Sequence, residues 1–220
     1  AAFRGAPVNG GIALVGVAAP ALLIARRTRA AVRASAAGAA PLVAPTPQDT
    51  DGPYYPGIVA FVRAASYRAN RRVPVAAIVI HINDGGDSAK NTARYFAQDP
   101  EGRGASAHYV VGREGEVYQC VSEADVAFHA HDANEYSIGI ENIARTRGEQ
   151  GDGDPGLPVT EANYRATALL VAYLCRKYRL ERSRRTIVGH AEIDPKTSHA
   201  DCPAGQWDWD HFMTTLAKVQ

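Results

Sequence analysis

The chain has 220 residues, of which 46% are hydrophobic and 21% are charged, as expected for a globular protein with one main domain. Its net charge of +1 gives no electrostatic support for binding to nucleic acid, so we expect no nucleic-acid partner. At most one disulfide can form among the three cysteines, which therefore indicate neither a disulfide-stabilised fold nor a redox compartment. The composition does not indicate an oligomeric state.

Residues 1–52 differ in composition from the rest of the chain. Residues 10–25 are almost wholly apolar, and a segment rich in alanine and proline follows them. The apolar run is short for a membrane span and closer to a signal-peptide core, but only Arg4 precedes it, whereas four arginines follow it, namely Arg26, Arg27, Arg29 and Arg33. Two interpretations therefore stay open. The segment either exports or anchors the protein, or it is a helix that packs on the domain or a partner and continues into a linker. Membrane contact is expected only through residues 10–25.

Residues 53–220 have the composition of an ordered domain, and we predict its elements from hydrophobic patterning. A helix is predicted over residues 56–70 and a buried strand over 75–80. Ser88 is the predicted N-cap of a second helix. Residues 106–121 predict a β-hairpin with its turn at Glu114-Gly115.

Three further elements follow in the second half of the domain. A short strand is predicted over residues 137–142, and Thr160 is the predicted N-cap of a long helix that ends near Tyr178. Another β-branched strand covers residues 185–188. The order helix, strand, helix, hairpin, strand, helix, strand predicts an α/β fold of the α+β type, with a mixed central sheet flanked by helices.

Two histidines directly follow predicted strands. His81 ends the apolar run 75–80, and His190 comes just after the strand 185–188. The loop beyond His190 carries Asp201 and Cys202. Two histidines and an Asp or Cys make three protein ligands, which leave the fourth position of a zinc ion open for water. The pattern predicts a catalytic site for one zinc ion.

Five motifs follow one another over residues 54–212. They are His81 after its strand, Ser106-Ala107-His108-Tyr109 before the Arg113-Glu114-Gly115 turn, Phe128-His129-Ala130, Ser137-Ile138-Gly139-Ile140-Glu141, and Gly189-His190. In this order they resemble the type 2 N-acetylmuramoyl-L-alanine amidases, zinc enzymes that share their fold with the peptidoglycan recognition proteins. The resemblance implies this fold for residues 53–220 and leaves residues 1–52 as an N-terminal extension.

The resemblance also implies an activity and assigns residues to it. These enzymes hydrolyse the amide between N-acetylmuramic acid and the L-alanine of the peptidoglycan stem peptide. Glu141 matches the family's glutamate, and we expect it to act as the general base that takes a proton from zinc-activated water. His129 matches a histidine that lines the substrate groove. We assign His129 and Asn142 to substrate binding.

The third zinc ligand is open between two adjacent residues. In the family it is an Asp or a Cys followed by proline, and a polar residue two places earlier contacts the oxyanion. Cys202 precedes Pro203, whereas Asp201 has His199 two places before it. Because the oxyanion needs a donor, we prefer Asp201 as the ligand and His199 as the electrophilic helper. Cys202, a softer zinc ligand, is the alternative.

Two classes of function stay open. The first is a zinc hydrolase that degrades cell wall by cutting peptidoglycan or muropeptides. The second is a catalytically inactive peptidoglycan-binding module on the same fold. The complete set of His81, His190, an Asp or Cys ligand and Glu141 favours the enzyme, since a binding module needs no open zinc position. Because polymeric peptidoglycan lies outside the cytoplasm, we expect an extracytoplasmic location, although the arginines after residues 10–25 favour the opposite.

Overall fold

The computed structural model describes residues 42, 55–83, 86–147, 153–203 and 205–220. The described residues all belong to the second of the two units of the chain, residues 40–220. The predicted apolar segment 10–25 lies outside the described residues. Leu42, within the predicted linker, packs against the core of the second unit, and its carbonyl oxygen accepts a hydrogen bond from the Gln220 backbone N–H. Among the described helices, none combines the length and the apolar character that crossing a membrane requires.

The centre of the domain is a mixed sheet of six strands in the order β1-β4-β3-β5-β2-β6. Strands β2, β5 and β6 are mutually parallel, while β3 and β4 form the predicted antiparallel hairpin. The strands are β1 Ile58–Phe61, β2 Ala77–Asn83, β3 Tyr109–Val111, β4 Val117–Gln119, β5 Ser137–Ile143 and β6 Ile187–Gly189.

Within the part of the chain that the structure describes, four α-helices and a 3₁₀ helix accompany the sheet. The two predicted N-caps are present, because the Ser88 and Thr160 side chains accept hydrogen bonds from backbone N–H groups three residues later. The helices are α1 Ala89–Gln98, the 3₁₀ helix His131–Tyr136, α2 Glu161–Tyr178, α3 His190–Ile193 and α4 Trp209–Ala217. The predicted arrangement of helices around a mixed sheet is confirmed.

The helix predicted over residues 56–70 is wrong. Residues Ile58–Phe61 instead form strand β1, which pairs in parallel with β4. The segment contains the β-branched residues Ile58 and Val59, which suit a strand, and pairing with the hairpin supplies the backbone hydrogen bonds that a helix would have made internally.

The sheet buries a different hydrophobic cluster on each face. Helices α2 and α4 cover one face, where side chains such as Ile78, Ile80 and Leu170 are fully buried. Helix α1 covers the other face with Ala93 and Phe96. Burying each large apolar side chain contributes roughly 1.5–3 kcal/mol. Since side chains alternate along a strand, the neighbours of Ile80 in β2 point to the α1 side of the sheet.

Candidate active site

Three parallel strands bring the predicted site residues to one edge of the sheet. Strand β2 lies between β5 and β6, and its register pairs His81 with Glu141. On the other side Ile80 pairs with Gly189, the last residue of β6, so that His190 follows beside His81. Because parallel strands end at the same edge, residues far apart in sequence meet there.

His81, His190 and Cys202 form a group that can hold a metal ion. One potential ligand atom from each lies within 4.8 Å of the others. The rings of His81 and His190 are 4.6 Å apart between centroids, and these two residues are only 3% and 7% exposed. Two imidazoles and a thiolate are a donor set that suits zinc. The residues therefore fit the predicted ion.

The loop that carries Cys202 packs directly on the end of β6. The Cys202 carbonyl oxygen accepts a hydrogen bond from the Ala191 N–H at 2.9 Å. A Cβ atom on Gly189 would lie 2.6 Å from Cδ of Pro203, so only glycine leaves room for the loop at this distance. This packing sets the position of Cys202 relative to the two histidines.

The preferred third ligand, Asp201, is not part of this group. Its side chain is exposed to solvent, whereas the alternative ligand, Cys202, joins the two histidines. The geometry therefore shifts the preference from Asp201 to Cys202. His199 lines the same cavity, with its ring 6.0 Å from that of His190.

Burial favours the neutral form of the two histidines that could bind the metal, because it lowers the pKa of each. It lowers the pKa of His81 well below the ordinary value, and the neighbouring His129 and His190 lower it further. Burial also lowers the pKa of His190, although the Asp194 carboxylate opposes this effect. A neutral imidazole has a lone pair for a metal, whereas a protonated one has none.

Each of the two histidines also has a hydrogen-bonding partner within the protein. Nε2 of His81 lies 3.0 Å from Nδ1 of His129, and Nε2 of His190 lies 3.1 Å from Oδ2 of Asp194. The same Asp194 oxygen is 2.6 Å from Nδ1 of His131. Asp194 is not among the residues predicted from the sequence, although it is a carboxylate only four residues after His190.

A cavity of about 430 Å³ opens onto the group. Its wall includes Glu141, His129 and His199, the residues predicted to be the base, a substrate contact and the electrophilic helper. The Glu141 carboxylate also lies near the Cys120 thiol, whose pKa is raised to about 12 by burial and then by this charge. Cys120 and Cys175 are buried thiols that belong to different hydrophobic clusters.

The structure places Asn142 away from this cavity. Its side chain is fully buried, donates to the His81 carbonyl oxygen at 3.1 Å and accepts from the Thr167 hydroxyl at 2.7 Å. Because Asn142 follows Glu141 in a strand, the two side chains point to opposite faces of the sheet. This geometry favours a structural role for Asn142, and its assignment to substrate binding stays a prediction that no observation here supports.

Comparison with known proteins identifies the family. The sequence matches the family described as N-acetylmuramoyl-L-alanine amidase over residues 71–205, more than half of the chain. The chain belongs to the N-acetylmuramoyl-L-alanine amidase family. The resemblance that the five motifs indicated is thereby confirmed, and His81, Glu141, His190 and Cys202 all lie within the matched residues.

Individual relatives of this amidase-family chain agree with the assignment. It is 29% identical over 131 residues to the 1,6-anhydro-N-acetylmuramyl-L-alanine amidase AmpD of Haemophilus influenzae. That match covers 56% of the chain and 64% of the relative's length. Among solved structures, a selenomethionine derivative of AmpD has a TM-score of 0.55 at 23% identity, covering 76% of this chain and 98% of the other. The endolysin amidase LysCS of Clostridium intestinale has a TM-score of 0.54 at 20% identity, covering 77% of this chain and 100% of the other. These structures share the fold of the amidase-family chain.

Proposed function

We propose that the chain is a zinc-dependent N-acetylmuramoyl-L-alanine amidase. It would hydrolyse the amide between the lactyl group of N-acetylmuramic acid and the L-alanine of the stem peptide. The main support is the group of His81, His190 and Cys202, which borders a cavity that also contains Glu141. The names of the H. influenzae relative and of the C. intestinale endolysin describe amidases of this linkage.

Hydrolysis of an amide needs a stronger nucleophile than water and a stabilised oxyanion. A zinc ion held by His81, His190 and Cys202 would supply a Lewis acid and lower the pKa of water. The Glu141 carboxylate accepts a proton from the attacking water and passes it to the amide nitrogen, which leaves as the amino group of L-alanine. One water is consumed, and the lactyl carbonyl becomes a carboxylic acid.

His199 is the proposed donor to the negative charge that develops on the carbonyl oxygen. Its support is its place in the cavity wall, because with Cys202 as the metal ligand the residue two places earlier is Ala200, which has no donor. His129, which lines the cavity on another side, is proposed to contact the substrate as well as His81.

Polymeric peptidoglycan and soluble fragments are the two substrate forms that the relatives' names suggest. The H. influenzae relative is named for a 1,6-anhydro sugar, whereas the C. intestinale protein is named as an endolysin. We propose that the chain acts outside the cytoplasm, as expected from its sequence, and the relatives' names leave the choice between polymer and fragment open. Assays on insoluble peptidoglycan and on 1,6-anhydromuropeptide, run side by side, test this choice.

Zinc content and product masses test the proposal directly. We expect the purified full chain to hold one zinc ion and to release a stem peptide with a free L-alanine amino group from an intact sugar. A protein that holds zinc and binds muropeptide but releases no product would instead be a recognition module. Cleavage at any other bond would overturn the assignment of the substrate linkage.

A further inference from the structure

Each histidine of the proposed zinc site uses one ring nitrogen for a hydrogen bond inside the protein. In both His81 and His190 that nitrogen is Nε2. A neutral imidazole has one N–H and one lone pair, and only the nitrogen with the lone pair can bind a metal. The chemistry of the two partners therefore decides which nitrogen is available.

The partner of His190 is a carboxylate held in one position. Oδ2 of Asp194 lies 3.1 Å from Nε2 of His190, and the Asp194 side chain is only 2% exposed. Its other oxygen, Oδ1, accepts from the Lys196 N–H at 3.1 Å, and its own N–H donates to the His190 carbonyl oxygen at 3.0 Å. Because an ionised carboxylate only accepts hydrogen bonds, Nε2 of His190 carries the proton and Nδ1 carries the lone pair.

The partner of His81 belongs to a chain of hydrogen bonds that starts at Ser137. The Ser137 hydroxyl donates its one hydrogen to the Ala133 carbonyl oxygen at 2.6 Å. Its oxygen, 3.3 Å from Nε2 of His129, can therefore only accept from that nitrogen. His129 then has its proton on Nε2 and its lone pair on Nδ1, which lies 3.0 Å from Nε2 of His81.

The hydrogen bond between His129 and His81 determines the tautomer of His81. Since Nδ1 of His129 accepts, Nε2 of His81 donates, and the lone pair of His81 is on Nδ1. Both histidines thus reach the same tautomer through unrelated partners, one a neutral imidazole and the other a carboxylate.

We propose that His129 and Asp194 are positioning residues that hold His81 and His190 with Nε2 protonated and so present both Nδ1 atoms to the metal. This inference rests on the zinc site of the proposed function. Partners of this kind typically contribute 10- to 100-fold to metal affinity in other zinc sites. A role for His129 in orienting His81 is compatible with its place in the cavity wall.

Nitrogen NMR of the full chain labelled with ¹⁵N-histidine tests the inference, because two-bond proton–nitrogen couplings distinguish the two ring nitrogens. In the zinc-loaded protein we expect His81 and His190 to carry a proton on Nε2 and the metal on Nδ1. In the metal-free protein we expect His129 to carry its proton on Nε2. The metal-free spectrum therefore tests the hydrogen bond between Ser137 and His129 independently of zinc.

Two variants of Asp194 distinguish the loss of His190 orientation from a general loss of stability. Asp194→Asn keeps a carbonyl oxygen that can accept from His190, so we expect it to retain Nδ1 coordination. Asp194→Ala removes the acceptor, and we expect a mixture of tautomers at His190 and a zinc affinity about 10- to 100-fold lower. Zinc affinity is measured by competition with a chromophoric chelator, and the Co²⁺ absorption spectrum reports whether the ligand geometry changes.

The possible failures differ from one another. Coordination through Nε2 of either histidine would overturn this inference and leave the zinc amidase proposal intact. A wild-type chain that binds no zinc would overturn both. Equal zinc affinity and identical spectra in Asp194→Ala and Asp194→Asn would also overturn the positioning role of Asp194.

Discussion

His81 and Glu141 are direct neighbours on adjacent parallel strands, paired in register between β2 and β5. A proposed metal ligand and the proposed general base are thus fixed by the same backbone ladder rather than by a mobile loop. Both side chains reach the cavity that His190 and Cys202 also border. Their separation is therefore set by the spacing of strands in a sheet, which is close to 4.8 Å.

The first prediction concerns the role of Glu141. Glu141→Gln keeps the size of the side chain but removes the base, so we expect kcat to fall by about 10²- to 10⁴-fold. Zinc content should stay at the wild-type level, because Glu141 is not in the group of potential ligands. Loss of zinc from this variant would assign Glu141 to the metal instead, and unchanged kcat would remove it from the mechanism.

The second prediction separates the two candidates for the third ligand. We expect Cys202→Ala to lose zinc and activity, and Asp201→Ala, its immediate neighbour in the loop, to keep both. The reason is that Cys202 joins His81 and His190 while Asp201 faces solvent. Metal analysis of the two variants in parallel gives the answer. The opposite result would restore Asp201 as the ligand.

The site residues that lie at the ends of strands could be predicted from the sequence. His81, Glu141 and His190 each lie at or near the end of a β-rich segment, and parallel strands bring such ends together. The choice between Asp201 and Cys202 depends on how a loop packs against β6, and hydrophobic periodicity carries no information on that packing. Here the close approach of Pro203 to Gly189 accompanies a loop position in which Cys202, and not Asp201, lies beside the two histidines.

Two other differences have equally local causes. The helix predicted over residues 56–70 rests on apolar residues at helical spacing, whereas the pairing of β1 with the distant β4 sets the conformation of this segment. Asn142, which we expect from the sequence to contact the substrate, directly follows Glu141 in β5. Strand alternation alone, applied to Glu141 and Asn142, would have placed the two side chains on opposite faces.

The third prediction concerns the pH dependence of stability. His108 is fully buried, and burial, followed by the charge of Arg71, lowers its pKa to about 3. Below its ordinary pKa near 6.5 the unfolded chain binds a proton that the folded chain does not, so stability is complete above that pH and falls as the pH decreases. We expect a loss of roughly 1 kcal/mol per pH unit between pH 6 and 4 from this residue.

Chemical denaturation of the metal-free protein across this pH range measures the effect. His108→Asn keeps an acceptor for the Gly139 N–H, which donates to Nδ1 of His108 at 3.1 Å, but has no group that titrates. The slope of its free energy of unfolding against pH should be smaller, and the difference should correspond to about one bound proton. If the free energy of unfolding has the same pH dependence in the wild type and in His108→Asn, His108 does not resist protonation in the folded state.

The fourth prediction tests the structural role of Asn142. Thr167 donates to Oδ1 of Asn142 at 2.7 Å, and both side chains are fully buried. Thr167→Val keeps the shape but leaves that oxygen without its donor, so we expect the free energy of unfolding to fall by about 1–3 kcal/mol. Thr167→Ser keeps the hydroxyl and serves as the control. KM should be unchanged in both, and a raised KM in Thr167→Val alone would return Asn142 to the substrate site.

The last prediction concerns Gly139, whose lack of a side chain makes room for His129. A Cβ atom at this position would lie 2.6 Å from Cγ and 2.7 Å from Nδ1 of the His129 ring. Gly139→Ala must therefore displace the ring, and overpacking of this kind costs about 1–3 kcal/mol. We also expect weaker zinc binding, since the displaced ring can no longer accept from Nε2 of His81.

A double-mutant cycle isolates the clash between the new methyl group and the ring. In a His129→Ala background the space is empty, so we expect Gly139→Ala to cause almost no further loss of stability or of zinc affinity. Denaturation curves and chelator competition on the wild type, both single variants and the double variant complete the cycle. Additive losses in the double variant would mean that Gly139→Ala acts through the β5 backbone. They would exclude a steric clash with the His129 ring as the cause.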